Sequence, residues 1–189
     1  AKRILRAARS NGASQELVAS IRKAGNLEAA GWKATPELIQ ELASESKSKG
    51  DPRRGQAIYR RRELQCARCH AVGGSGGRVG PDLISVGASA QPDYLVESLL
   101  NPNAKVKENY HSLSLQTDDG LVISGIVLRK DDKEIALRDK DDKEVVIPTA
   151  DILQQKDGKS LMPDGTVDEL TRQELVDLVR FLSELGKVG

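Results

Sequence analysis

Five consecutive residues, Cys66-Ala67-Arg68-Cys69-His70, restrict this chain more than anything else in it, because they gather both of its cysteines and one of its two histidines. C-x-x-C-H is the signature for covalent attachment of a c-type haem. On one helical turn, two thiols at this spacing can each add to a vinyl group of the same porphyrin. The adjacent imidazole of His70 then reaches the iron as its proximal ligand. Three other chemistries use paired cysteines: a disulfide, a thioredoxin-like redox pair and half of a zinc site. Each fits less well. Zinc wants four ligands, no other cysteine exists, and the second histidine, His111, lies far downstream. A thioredoxin-like pair wants a βαβ context, which the pattern lacks.

A buried porphyrin would also supply apolar surface that the side chains are short of. Among 189 residues the aromatic ones are Trp32, Tyr59, Tyr94, Tyr110 and Phe181, and aromatic rings carry the largest buried areas in a core. The length suits one generous domain or two small ones. No apolar run approaches the roughly 20 residues needed to span a bilayer, and no signal-peptide pattern opens the chain. It begins at Ala1 inside a helical pattern and so reads as a piece of something longer. The net charge of +1 hides a polarity: nine basic residues face five acidic ones in 1–49 and eight face five in 50–106, whereas eight face twelve in 107–158 and four face six in 159–189. An asymmetry this mild, with so few aromatics, argues against a nucleic-acid partner.

Residues 1–49 read as a helical segment. Leu17, Ile21 and Ala24 recur at helical spacing, with Ser14 as N-cap and Gly25 as stop, and Thr35-Pro36 opens a second helix through about Ser46. Trp32, in the turn between them, is expected to anchor helix packing. After the polar stretch Ser46 to Gly50 we place a domain boundary. Asp51-Pro52 then starts a helix carrying Gly55, Ile58 and Tyr59, and Gly55 would let another helix cross closely. The expected partner is the last helix, opened by the capping box Thr171 to Glu174, burying Leu175, Leu178, Val179 and Leu182, and ended by Gly186. Between them lie the cysteine motif, a glycine-rich loop from Gly73 to Gly80, and a helix from Pro92 to about Leu100.

The period changes over residues 109–148. Tyr110 to Thr117 and Leu121 to Leu128 read as strands joined by Asp118-Asp119-Gly120, with shorter strands around Ile135 to Leu137 and Val145 to Ile147. The near-repeats Lys130-Asp131-Asp132-Lys133-Glu134 and Lys140-Asp141-Asp142-Lys143-Glu144 read as solvated hairpin tips; a calcium loop would need a regular ligand alternation that they lack. The expected fold is therefore mainly α. A helical haem domain spans residues 50–189, with a small antiparallel β-module inserted at about 109–155, and residues 1–49 precede it.

One histidine leaves an axial face of the iron open. Met162, the chain's single methionine, sits beside Pro163 in a loop and is the expected sixth ligand; His111 is the runner-up. A thioether is a soft neutral donor that favours ferrous iron, so the couple should be comparatively oxidising. Saturated, low-spin iron reorganises little, which favours electron transfer over substrate chemistry. The Pro81 carbonyl is placed to accept the His70 Nδ1 proton. Leu83, Val86, Leu95 and Leu99 would pack on the porphyrin, and Arg78 and Arg68 could balance its propionates. The run Arg60-Arg61-Arg62 could steer an acidic partner. Covalent attachment through thiols implies maturation outside the cytoplasm.

These residues carry a resemblance. Gly55-x-x-x-Tyr59, the C-x-x-C-H run, Gly80-Pro81-x-Leu83, Leu161-Met162-Pro163 and a final helix with an aromatic resemble the class I cytochrome c domain. The longer pattern is similar to the planctomycete/verrucomicrobial-type haem-binding domain. It comprises Gly50-Asp51-Pro52-x-Arg54-Gly55, Gly80-Pro81-Asp82-Leu83, Glu97-Ser98-x-x-x-Pro102, the turn at 117–120 and Ser160-Leu161-Met162-Pro163. The resemblance implies one covalent haem c held by Cys66 and Cys69, ligated by His70 and Met162. It implies a periplasmic electron acceptor without enzymatic activity of its own, served by a partner or fused dehydrogenase. The alternative is a haem enzyme or a gas or redox sensor in which Met162 dissociates to open a distal site.

Overall fold

The computed structural model describes residues 4, 8, 13–24 and 31–187, and these fall into two compact units. The first is built from the described residues up to Ala67, Ile84–Asn101 and those from Asp164 onward; the second from Arg68–Leu83 and Pro102–Pro163.

The first unit is helical. Helix α1, Gln15–Ala24, begins where the Ser14 hydroxyl accepts the Leu17 amide at 3.2 Å; the expected stop at Gly25 lies outside the described residues. Helix α2, Pro36–Lys49, is capped by the Thr35 side chain and runs one turn longer than its pattern suggests. Helix α3, Pro52–Tyr59, starts at Asp51, whose carboxylate accepts the Arg53 and Arg54 amides. Helices α5, Val86–Ser89, and α6, Pro92–Leu100, follow. The last helix, α7, Arg172–Glu184, opens with the expected capping box between Thr171 and Glu174.

Helix α7 is the hub, packing against α2, α3, α5 and α6. The crossing with α3 is as close as Gly55 allows: a Cβ there would run into the Asp177 carbonyl and the Phe181 Cβ. Tyr59 and Phe181 then meet with ring centroids 5.6 Å apart. Leu42, Ile58, Leu95, Val96, Leu175, Leu178 and Val179 fill the surrounding core. Trp32 is half-buried and donates its indole N–H to the Val167 carbonyl at 3.2 Å, in the turn region before α7.

The second unit holds an antiparallel sheet in the order β6-β5-β4-β3-β7. Its strands are β3 Ser112–Thr117, β4 Val122–Lys130, β5 Glu134–Arg138, β6 Glu144–Pro148 and β7 Ile152–Asp157. Leu113, Leu115, Ile135, Leu137 and Ile147 form its core, with Ile123, Val145 and Ile152 packed against them. Registers Ile135↔Ile147 and Leu137↔Val145 keep one face buried, so a slip of one residue would expose the whole set. A smaller two-stranded ribbon pairs β1, Ala71–Val72, with β2, Ser75–Gly76.

This sheet overturns the expectation of a mainly α fold. The described residues are 38% helical and 21% strand, a mixed α/β protein. The element that the pattern does not announce is β7, Ile-Leu-Gln-Gln-Lys-Asp, which has no alternation of apolar and polar residues. It is a strand because β3 offers it a partner, with Leu115 opposite Gln155 and Ser114 opposite Lys156. Strand formation of this kind rests on cross-strand neighbours more than on intrinsic propensity.

Candidate functional site

The cysteine motif forms a single helical turn, α4, Cys66–Cys69, directly followed by His70. Neither sulfur is in a disulfide. Among the described residues no group of three or more His, Cys, Asp or Glu side chains is arranged to hold a metal ion.

His70 is oriented by the segment that follows the glycine-rich loop. The Gly80 amide donates to the Cys69 carbonyl at 2.7 Å and the Leu83 amide to the Ala71 carbonyl at 2.8 Å. Those two bonds fix the backbone on either side of Pro81. Its carbonyl consequently lies 2.9 Å from His70 Nδ1. A carbonyl can only accept, so Nδ1 carries the proton and Nε2 is left with its lone pair. Gly80 makes this approach possible: a Cβ at that position would overlap the imidazole ring. Burial lowers the pKa of His70, against the opposing pull of the Pro81 carbonyl. The ring is therefore neutral at physiological pH, the form a metal requires.

The loop between them is braced by Asp82, whose carboxylate accepts the Gly73 amide at 3.0 Å and the Gly74 amide at 2.7 Å. The sequence contains Asp82 within the Gly-Pro-Asp-Leu run but assigns it no task. Its signal was an aspartate eight residues after a double glycine, a spacing too long for a local turn rule. Cys69 is half-buried, and burial pushes its thiol up; the charge of Arg68 pulls the other way and that of Asp142 adds to the rise.

Met162 is half-buried in a loop, its amide donating to the Ser160 hydroxyl at 3.1 Å, while the Ser160 amide donates to the Asn103 side chain at 3.1 Å. Leu83 is half-buried and His111 is exposed just before β3. Leu95 and Leu99 lie in the core of the helical unit. Arg78 and Arg68 have carboxylate neighbours: Arg78 Nε lies 4.0 Å from Asp142 and Arg68 Nη2 lies 2.6 Å from Asp141. Arg61 of the basic run is paired with Glu174 at 2.6 Å.

The donor set suits a c-type haem: two thiols on one turn, and an imidazole whose far nitrogen is held by a carbonyl and whose ring is accommodated by a missing Cβ. Comparison with known proteins agrees, and supports a cytochrome c domain, a class that works by haem-based electron transfer with redox partners and is typically extracytoplasmic. Residues 50–122 match the family described as cytochrome c oxidase, cbb3-type, subunit III. The match supports the broad class and does not confirm the planctomycete/verrucomicrobial type. No curated protein matches the chain. Among the described residues no helix is long and apolar enough to cross a membrane.

Proposed function

We propose that the chain is a monohaem electron-transfer module, its haem domain spanning residues 50–189, in which Cys66 and Cys69 tether haem c and His70 and Met162 are the axial ligands. The observation that carries this reading is the contact between His70 Nδ1 and the Pro81 carbonyl at 2.9 Å. It selects the tautomer and ring orientation that a metal-binding imidazole needs, and a hydrogen bond to the distal nitrogen of a ligating histidine raises its basicity. Bound there, haem supplies a one-electron couple between ferric and ferrous iron.

The protein's residues do the rest. Gly80 leaves space for the ring, and Asp82 keeps the Gly73-Gly74 turn folded. Met162, beside the rigid Pro163, brings a soft donor that favours the reduced state. A periplasmic or otherwise extracytoplasmic dehydrogenase, separate or fused, would be the electron donor, because thioether formation requires maturation in that compartment. Arg78 belongs to the loop that flanks the attachment motif.

The test is an absorption spectrum of the chain made together with haem-attachment machinery. The ferric protein should show the weak far-red band of sulfur ligation. Met162→Ala should remove that band and keep the covalent haem. Persistence of the band would move the sixth ligand elsewhere. Rapid carbon monoxide binding by the ferrous wild type at neutral pH would favour an open distal site over an electron carrier.

A further inference from the structure

We propose that the tip joining β5 and β6 is a positioning element for the haem-attachment loop, with Asp141 and Asp142 holding Arg68 and Arg78 and balancing the charge beside the attachment motif. The proposal rests on the haem reading above for its effect on iron, and on geometry alone for its effect on the loop.

Arg68 stands between the two cysteines, and its guanidinium meets Asp141 Oδ1 at 2.6 Å. The Arg78 amide donates to Asp142 Oδ2 at 3.2 Å, and Arg138 Nη1 donates to Asp142 Oδ1 at 2.7 Å. The tip is built to present these two carboxylates. Asp139 accepts the amides of Asp141 at 2.8 Å and Lys143 at 2.9 Å, and Asp142 takes a left-handed backbone with φ of 63°. Behind it, Ile135↔Ile147 and Leu137↔Val145 tie the hairpin to the buried core of the sheet.

The near-identical tip Lys130 to Glu134 shows that composition does not explain this. There Asp131 accepts the amides of Lys133 at 2.8 Å and Glu134 at 3.0 Å within its own turn. Arg129 takes the remaining charge by pairing with Glu134 at 2.9 Å and with Glu144 at 2.5 Å. The contacts of the first tip stay within the sheet and its turns, and the second tip reaches the residue between the attachment cysteines. Reduction potentials of haem proteins respond to charge and hydrogen bonding around the site. Arg68 is two residues from His70, so its charge acts on the iron's surroundings and Asp141 offsets it.

The experiment compares Arg68→Gln with Asp141→Asn by spectroelectrochemistry of the matured protein, after each variant's mass confirms that haem is attached. Arg68→Gln removes the positive charge beside the attachment motif, leaving Asp141 with Lys140 Nζ at 3.5 Å, and should lower the midpoint potential; Asp141→Asn removes the negative charge that offsets Arg68 and should raise it. Both shifts should shrink as salt rises, since exposed charges are screened over about 10 Å at 0.1 M. A purely structural loosening would move both variants the same way, and shifts of one sign, or none at low salt, would overturn the electrostatic role. Independently, amide exchange at Arg78 is measured on the purified full chain. Asp142→Gly, which tolerates the left-handed backbone and removes the acceptor, should speed it about two- to five-fold. Asp131→Asn should leave it unchanged. Equal exchange in all three proteins would overturn the positioning role whether or not haem is present, and a chain that retains no haem would sink the haem reading while exchange still decides the contact.

Discussion

Two arginine–aspartate pairs of nearly equal length do different things in the two units of this protein. In the helical unit Arg54 Nε meets Asp177 Oδ2 at 2.7 Å, and in the sheet unit Arg68 Nη2 meets Asp141 Oδ1 at 2.6 Å. The arginines are similarly exposed, at 57% and 46%, but the Asp177 side chain is 2% exposed and that of Asp141 is 39%. Asp177 also accepts the Asp51 amide at 2.8 Å and the Gln173 side-chain amide at 2.9 Å. It is thus a buried junction where the start of α3, Arg54 and α7 converge, whereas the Asp141 contact is a wet one. Distance alone does not set the worth of an ion pair; desolvation and the number of satisfied partners do.

The largest effect expected on this comparison comes from Gly55→Ala. Its new methyl meets the Asp177 backbone, which cannot swing aside, and it should cost about 3 kcal/mol, at the upper end for overpacking, read by denaturant unfolding. A change below about 1 kcal/mol would show that α3 and α7 are not as tightly apposed as described. Next, Asp177→Ala should cost about 2 kcal/mol by leaving hydrogen-bond donors at the junction without their acceptor.

Acid sharpens the same contrast. Burial pushes the Asp177 carboxyl up, but Arg54, the Asp51 amide and Gln173 together outweigh it and hold the carboxyl below its ordinary 3.8. A carboxyl depressed in the folded state contributes stability in full above its unfolded value. It loses that contribution as pH falls through the folded value, because the unfolded chain takes up the proton first. Wild-type stability should accordingly drop on acidification from about pH 5 into the range below 4, with a shallower fall in Asp177→Asn, measured as unfolding free energy against pH. The smallest effect is expected from Asp141→Asn, within about 1 kcal/mol on stability as for other exposed pairs. A penalty equal to that of Asp177→Ala would erase the distinction.

Much of the helical unit is legible in the chain. Gly55 and Tyr59 stack at a spacing of four, Asp51-Pro52 and Thr171 to Glu174 announce helix starts, and each was found where these local rules put it. Such signals work because capping and close approach depend on residues near one another in sequence. One contact of the candidate site was legible too: the Gly-Pro pair after the motif pointed to the Pro81 carbonyl, which meets His70 across eleven residues. What was not legible is long-range. Strand β7 exists through pairing with β3 and completes the five-stranded sheet that makes the fold mixed rather than mainly α. The two Lys-Asp-Asp-Lys-Glu tips are interchangeable on paper, and only the hairpin register decides that Asp141 meets Arg68 across 73 residues.

The most direct test of the central claim is the intact mass of the chain, purified from cells equipped for haem attachment and measured under denaturing conditions. The account predicts the polypeptide plus one haem, lost when Cys66 and Cys69 are both replaced by alanine. A bare polypeptide mass for the wild type would contradict it.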